Sequence, residues 1–218
     1  MTGWVTTIAW HASTIGKNYL NASLIQALAE LNYPNYVPQK WHAILIFYAI
    51  VALSVAVTTL GAKVFPKFEA VTLILHIVGF FFILVTLIYL APKNSLSDVF
   101  QVFINGGGFT SNAQSWLVGS VSVMFTFIGI DAAVHMAEEI KDAAVVIPRA
   151  MISSVILNDV LGLGMLVAIL FCMGPIEDVL SSEFSFPFIN ILASVTNSTG
   201  GATAMVMKLV TQDESSIN

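Results

Sequence analysis

The sequence predicts an all-α, polytopic transmembrane helix bundle, and three observations predict it. The chain is 57% hydrophobic and 10% charged, where soluble domains sit near 45–50% and about 25%. Its mean hydropathy is +0.86, more apolar surface than so few charged residues can cover in water. The apolar residues also fall in long continuous runs and do not alternate with polar ones. Such runs make membrane helices, whose backbone hydrogen bonds close within each segment, and not barrel strands.

A hydrocarbon core of about 30 Å needs roughly 20 apolar residues of helix. Six runs meet or approach that length, at about 3–29, 42–60, 70–91, 116–137, 150–174 and 186–207. Together they predict a transmembrane domain over residues 1–207 and a polar tail over 208–218, outside the fold. The breaks carry turn chemistry: "NYPNYVPQK", "GAKVFPKFE", "APKNSLSD" and "FINGGGFTSN" combine Pro, Gly, Asn and Ser. In "EEIKDAAVVIPRA", Pro148 suits the first turn of the fifth span, where its missing N–H costs nothing.

Lys and Arg orient the bundle. One face carries Lys63, Lys67, Lys141 and Arg149, and the other carries Lys40 and Lys93. The 63–67 and 141–149 loops are therefore expected in the cytoplasm, and the first span leads outward. The net charge of −5 is scattered over loops and the C-terminus. No basic strip interleaved with aromatics points to nucleic acid. One cysteine, Cys172, leaves no intrachain disulfide to expect. The four histidines lack ligand spacing, so no metal or other cofactor is expected. The Gly-rich "FINGGGF" lacks the Lys-Ser/Thr element of a phosphate loop.

Ionisable groups near the bilayer centre cost about 2.5–3.5 kcal/mol on insertion scales and mark function by default. Asp131, in "FTFIGIDAAVH", is the outstanding case. It reads either as an interhelical hydrogen-bonding or snorkelling acid, or as the acid of a helix broken around Ile128 to Ile130. In the second reading Gly129 lets the backbone open and its freed polar groups face a cavity. His135 follows Asp131 by one turn, on the same face, and reads as a proton relay or as an interfacial hydrogen-bonding group. Phe125 and Phe127 are ordinary aromatics, or lids beside a broken segment. Glu138 and Glu139 belong to a solvated loop that can also lock a closed state. Lys17 and Asp159 read as lone snorkelling residues, as charge partners for each other, or as signs of a degenerate copy. His11 and His76 read as packed histidines with satisfied ring nitrogens.

Several blocks then follow one another in a familiar order: "GWVTTIAWHAS", "ALAELNYPNY", "FINGGGF", "GIDAAVHMAEEIKDA", "IPRAM" and "FPFINILASVTNSTGGATAM". With them the chain resembles a fungal amino-acid, choline or GABA permease of the amino acid–polyamine–organocation superfamily. The resemblance covers residues 3 to 207 and is most specific at the "GIDAAVHMAEEIKDA…PRAM" block. It implies a fold of two inverted five-helix repeats, with substrate held against helices broken near the midplane. On that scheme the chain runs from helix three to the start of helix eight. The resemblance implies Phe125 as an aromatic lid and Thr126, Phe127, Ile128 and Gly129 as pocket lining. It places Asp131 where an acid serves coupling or gating, and Trp10, His11 and Ser13 on the opposite wall. Asp131, His135, Glu138 and Glu139 together are the residues expected to serve coupling and gating. The broken first helix and helices nine to twelve are not in the sequence, so the chain reads as a fragment carrying half a site.

The sequence therefore predicts a multi-pass protein of a lipid bilayer, expected in the plasma membrane. It would move a small amino-acid-like or amine substrate by alternating access, driven by protons. It predicts no enzyme, because no nucleophile or paired-base arrangement is visible. Two alternatives stand beside it: a non-transporting partner of a full-length permease, and an intramembrane enzyme using Asp131 with Asp159 or His135.

Overall fold

The computed structural model describes residues 2–60, 65–124, 129–130, 132–135, 137–138, 140–176, 179 and 186–215. Among them every regular element is α-helical. In chain order these are α1 (Thr2–Asn32), α2 (Lys40–Leu60), α3 (Phe65–Leu90), α4 (Leu96–Phe100), α5 (Asn112–Met124), α6 (Ala132–His135), α7 (Ala143–Cys172), α8 (Pro187–Thr196) and α9 (Thr199–Ser215). The chain divides into two compact units, Met1–Lys93 with Cys172–Asn218, and Asn94–Phe171.

Among the described residues three helices are long and apolar enough to cross a membrane: Lys40–Leu60, Ala70–Leu90 and Ala143–Cys172. At 31 residues α1 has the length, but Thr14, Lys17, Asn18 and Asn21 dilute its hydropathy. Its buried face carries Asn18, Asn21, Ala22, Leu24, Ala27 and Leu28, a helical stripe packed on α2 and α9.

The α1–α2 connection is tied by side chains. Gln26 Nε2 donates to the Gln39 carbonyl at 2.9 Å and to Tyr36 Oη at 3.3 Å. Tyr36 Oη lies 2.7 Å from His42 Nδ1, with the two rings stacked at 5.3 Å. Pro34 and Pro38 end one helix and delay the next, as the turn reading expects. At its far end α1 meets α9 through Asn32 Nδ2, which donates to Thr203 Oγ1 at 2.7 Å.

The apolar run read as 186–207 forms two helices. Pro187 takes the first turn of α8. Asn197 closes α8 in the left-handed conformation, φ 48°, one of the few non-glycine residues that does so readily. Ser198 then caps α9, its Oγ accepting from the Gly201 N–H at 3.2 Å. Through the polar segment from 208 the helix continues to Ser215, and Val210 within it is buried.

In the second unit Ser95 and Asp98 form a capping box that starts α4. "FINGGGF" is a turn in which Asn105 Oδ1 accepts from the Phe109 N–H at 3.0 Å. Asn94 ties the unit's ends together, donating from its backbone to Phe171 O at 2.7 Å and from Nδ2 to Leu170 O at 3.1 Å. α7 begins at Ala143, earlier than the run from 150 suggests, because the Asp142 carbonyl accepts from Val145 and Val146. Pro148 therefore lies inside the helix and not in its first turn, which leaves the Ala144 carbonyl without its helical donor.

Candidate functional site

The segment read as one span over 116–137 is not a continuous helix where it is described. α5 ends at Met124, and α6 is a single turn over Ala132–His135. Between them Gly129 adopts φ +98°, a conformation that side-chain-bearing residues rarely adopt. Its carbonyl accepts from the Ala132 N–H at 3.0 Å. Ile130 beside it is half-buried. A lipid-embedded helix opens like this only where its backbone groups face protein or a cavity.

The sequence-selected residues divide across this geometry. Phe125, Thr126, Phe127, Ile128, Asp131 and Glu139 lie outside the described residues. Gly129 forms the turn, His135 ends α6 with an exposed side chain, and Glu138 is exposed in the turn beyond it. His11 and Ser13 both sit on α1, where residues two apart point to different sides. His11 is accordingly exposed and Ser13 half-buried.

The first unit holds polar side chains that the sequence reading passed over. Asn18 and Asn21 are 2% and 1% exposed. Asn18 Nδ2 donates to the Thr14 carbonyl at 3.0 Å, while its Oδ1 is buried without a hydrogen-bond partner. The signal was available: Thr14, Lys17, Asn18 and Asn21 recur at three- and four-residue intervals, one face of a helix. Buried Ser54 belongs to α2. His76, expected to be satisfied, has a buried Nδ1 with no partner among the described residues. Lys208, set aside by the sequence reading as part of a tail, is half-buried on α9. Among the described residues no group of His, Cys, Asp and Glu can hold a metal ion.

The amino acid permease family matches residues 1–211. The chain belongs to this family. A protein of Macrophomina phaseolina named for amino acid/polyamine transport is 31% identical over 204 residues, 93% of this chain and 45% of that protein. The choline transporter of Saccharomyces cerevisiae is 25% identical over 183 residues, 83% and 32%. A swainsonine transporter of Arthroderma benhamiae is 30% identical over 180 residues, 81% and 34%. The chain thus spans less than half the length of these relatives. No solved structure matches it. Family membership and the apolar helices make this permease an integral membrane protein.

Proposed function

We propose that this permease chain forms part of a secondary transporter for a small amino-acid-like or amine substrate. The substrate is held against the interrupted segment around residues 125–131, and the site opens to each side of the membrane in turn. A proton gradient supplies the energy, with Asp131 as an acid that takes up and releases a proton at the break. Phe125 closes over the substrate, and Thr126, Phe127, Ile128 and Gly129 line its seat. His135, Glu138 and Glu139, at the polar end of the same segment, gate it. The working location is the plasma membrane.

The observation that carries this reading is the turn at Gly129. A glycine at φ +98° between α5 and α6 interrupts a permease-family segment at the place where the resemblance puts the substrate, and interruptions of this kind in membrane helices offer main-chain groups to a ligand. Such groups can recognise a carboxylate or an ammonium without dedicated charged side chains. Transport needs no covalent step, which fits a segment that offers a carboxylate and an imidazole but no activated nucleophile.

The test is counterflow into liposomes carrying the intact natural protein. They are loaded with a mixture of unlabelled proteinogenic amino acids and choline, and tritiated amino acids and choline are added outside. Saturable entry of at least one labelled compound above protein-free liposomes is expected. Entry equal to that of empty liposomes for every probe would remove the proposed substrate class.

A further inference from the structure

Two stretches of the chain carry the Asn-X-Ser/Thr pattern that receives N-linked oligosaccharide: Asn21-Ala22-Ser23 and Asn197-Ser198-Thr199. Neither has proline at its middle position, so the pattern alone does not choose between them. Their surroundings do. Asn21 lies within α1, eleven residues before its end at Asn32, about 17 Å along the axis. It is 1% exposed, and the Ser23 hydroxyl donates back to the Tyr19 carbonyl at 2.9 Å. An oligosaccharide has no room there.

The second pattern occupies the turn between α8 and α9, and Asn197, Ser198 and Thr199 are all exposed. Asn197 enters the turn through its backbone, at φ 48°, with its N–H donating to the Ser194 carbonyl at 3.4 Å. Among the described residues no hydrogen bond engages the side chain of Asn197 or of Thr199. The Nδ2 of Asn197 therefore points to no competing partner within the fold.

Contacts within the same unit fix the face on which this turn lies. The Lys/Arg distribution puts the stretch between α2 and α3, with Lys63 and Lys67, in the cytoplasm. α2 then runs inward, and the end of α1 at Asn32 lies on the outer face. The Asn32–Thr203 hydrogen bond of 2.7 Å holds the start of α9 at that end. Five residues on, Lys208 lies against Gly79, where a built Cβ would be 2.9 Å from Lys208 Cδ. α3 runs outward from Phe65 to Leu90, so Gly79 is eleven residues, about 17 Å, below its outer end. From Thr203 to Lys208 α9 descends into the bundle. From Thr203 back to Thr199 it rises toward the outer face.

We propose that Asn197 is an N-glycosylation site on the outer face of the protein. The co-reactant is an oligosaccharide joined through a diphosphate to a lipid, on the lumenal side of the membrane into which the chain is inserted. A bond forms between Asn197 Nδ2 and the anomeric carbon of the first sugar, and the bond from that carbon to the diphosphate oxygen breaks. The bonding pair leaves on the diphosphate, and the Nδ2 proton passes to a base of the host transferase. Thr199 supplies the hydroxyl that completes the acceptor pattern. Once attached, the bulky, solvated group holds the start of α9 at the water side.

This inference rests on the orientation of the helices and not on the transport reading. Intact natural protein is produced in a fungal host, treated with a glycan-releasing amidase and run by electrophoresis beside untreated protein. Each released oligosaccharide adds one step to the gain in mobility. Asn197→Asp, which keeps a side chain tolerant of the left-handed turn, should lose one step relative to the wild type. Thr199→Ala should lose the same step with Asn197 still in place. Ser23→Ala, in the buried pattern, should shift as the wild type does. A shift of equal size in the wild type and Asn197→Asp, zero included, overturns the proposal. A step lost in Ser23→Ala and kept in Thr199→Ala puts the sugar on Asn21 and overturns it as well.

Discussion

The two compact units differ in how much apolar surface they enclose. In the unit of α1, α2, α3, α8 and α9, helices cover one another: Leu87, Ile189 and Val206 are fully enclosed. In the Asn94–Phe171 unit only Ile147 and Ala168 are buried among the described apolar side chains. The most apolar window of α7 is 11% buried, with Ile152, Ile156, Val160 and Leu163 each more than half exposed. The apolar windows of α2 and α3 are themselves only 17% buried, so all three long apolar helices leave most of their surface to be covered from outside, α7 most of all. Bilayer or other protein must cover α7, because an apolar face of that size is not stable in water. Hydropathy records the need for cover and says nothing about its source.

This contrast is sharpest in its response to truncation. Leu87→Ala should cost about 2–5 kcal/mol, because the cavity opens inside packed protein. Leu163→Ala, on the uncovered side of α7, should change stability by less than about 0.5 kcal/mol. Thermal unfolding of the two purified variants in one detergent measures the difference. Equal losses would mean that α7 is packed as tightly as α3.

Two of the positive-φ backbone positions extend the comparison at smaller magnitude. Gly129, at φ +98°, lies beyond the region that other residues tolerate, whereas Asn197, at φ 48°, lies within it. Gly129→Ala should therefore cost about 1–3 kcal/mol, and Asn197→Ala about 1 kcal/mol. Unfolding midpoints rank them, and the reverse ranking would mean that residue 129 relaxes without strain. A smaller effect again is expected of the Asn32–Thr203 hydrogen bond between α1 and α9. A double-mutant cycle to alanine should give a coupling of about 0.6 kcal/mol, the usual scale for such bonds in membrane bundles. A coupling of zero would detach α9 from α1 at that end.

Much of the fold was legible because its causes are local. Runs of apolar residues mark helices, and Pro34, Pro38, Asn105 and Ser95 stop or start them by chemistry that a short window contains. The division of the last run was also written locally, in Asn197, Ser198 and the following glycines, but the apolar run on either side masked it. The start of α7 was misplaced for a related reason: Pro148 suggests a first turn, yet the Asp142 carbonyl already collects two N–H groups upstream. The candidate site was legible only along the chain. Asp131 and Gly129 stand out against an oily background. That Lys208 lies against Gly79 depends on two distant helices meeting, which no window of sequence displays. Likewise, His76 looks like any packed histidine until its Nδ1 is seen to lack a partner.

The measurement that tests the central claim most directly is Asp131→Asn in the intact natural protein. It is scored by saturable uptake of tritiated amino acids and choline across pH, with membrane insertion checked in parallel. Loss of uptake by at least tenfold with insertion preserved is the predicted result, because the amide keeps the shape of the side chain and loses the proton. Wild-type uptake with an unchanged pH dependence would contradict the account and remove Asp131 from the mechanism.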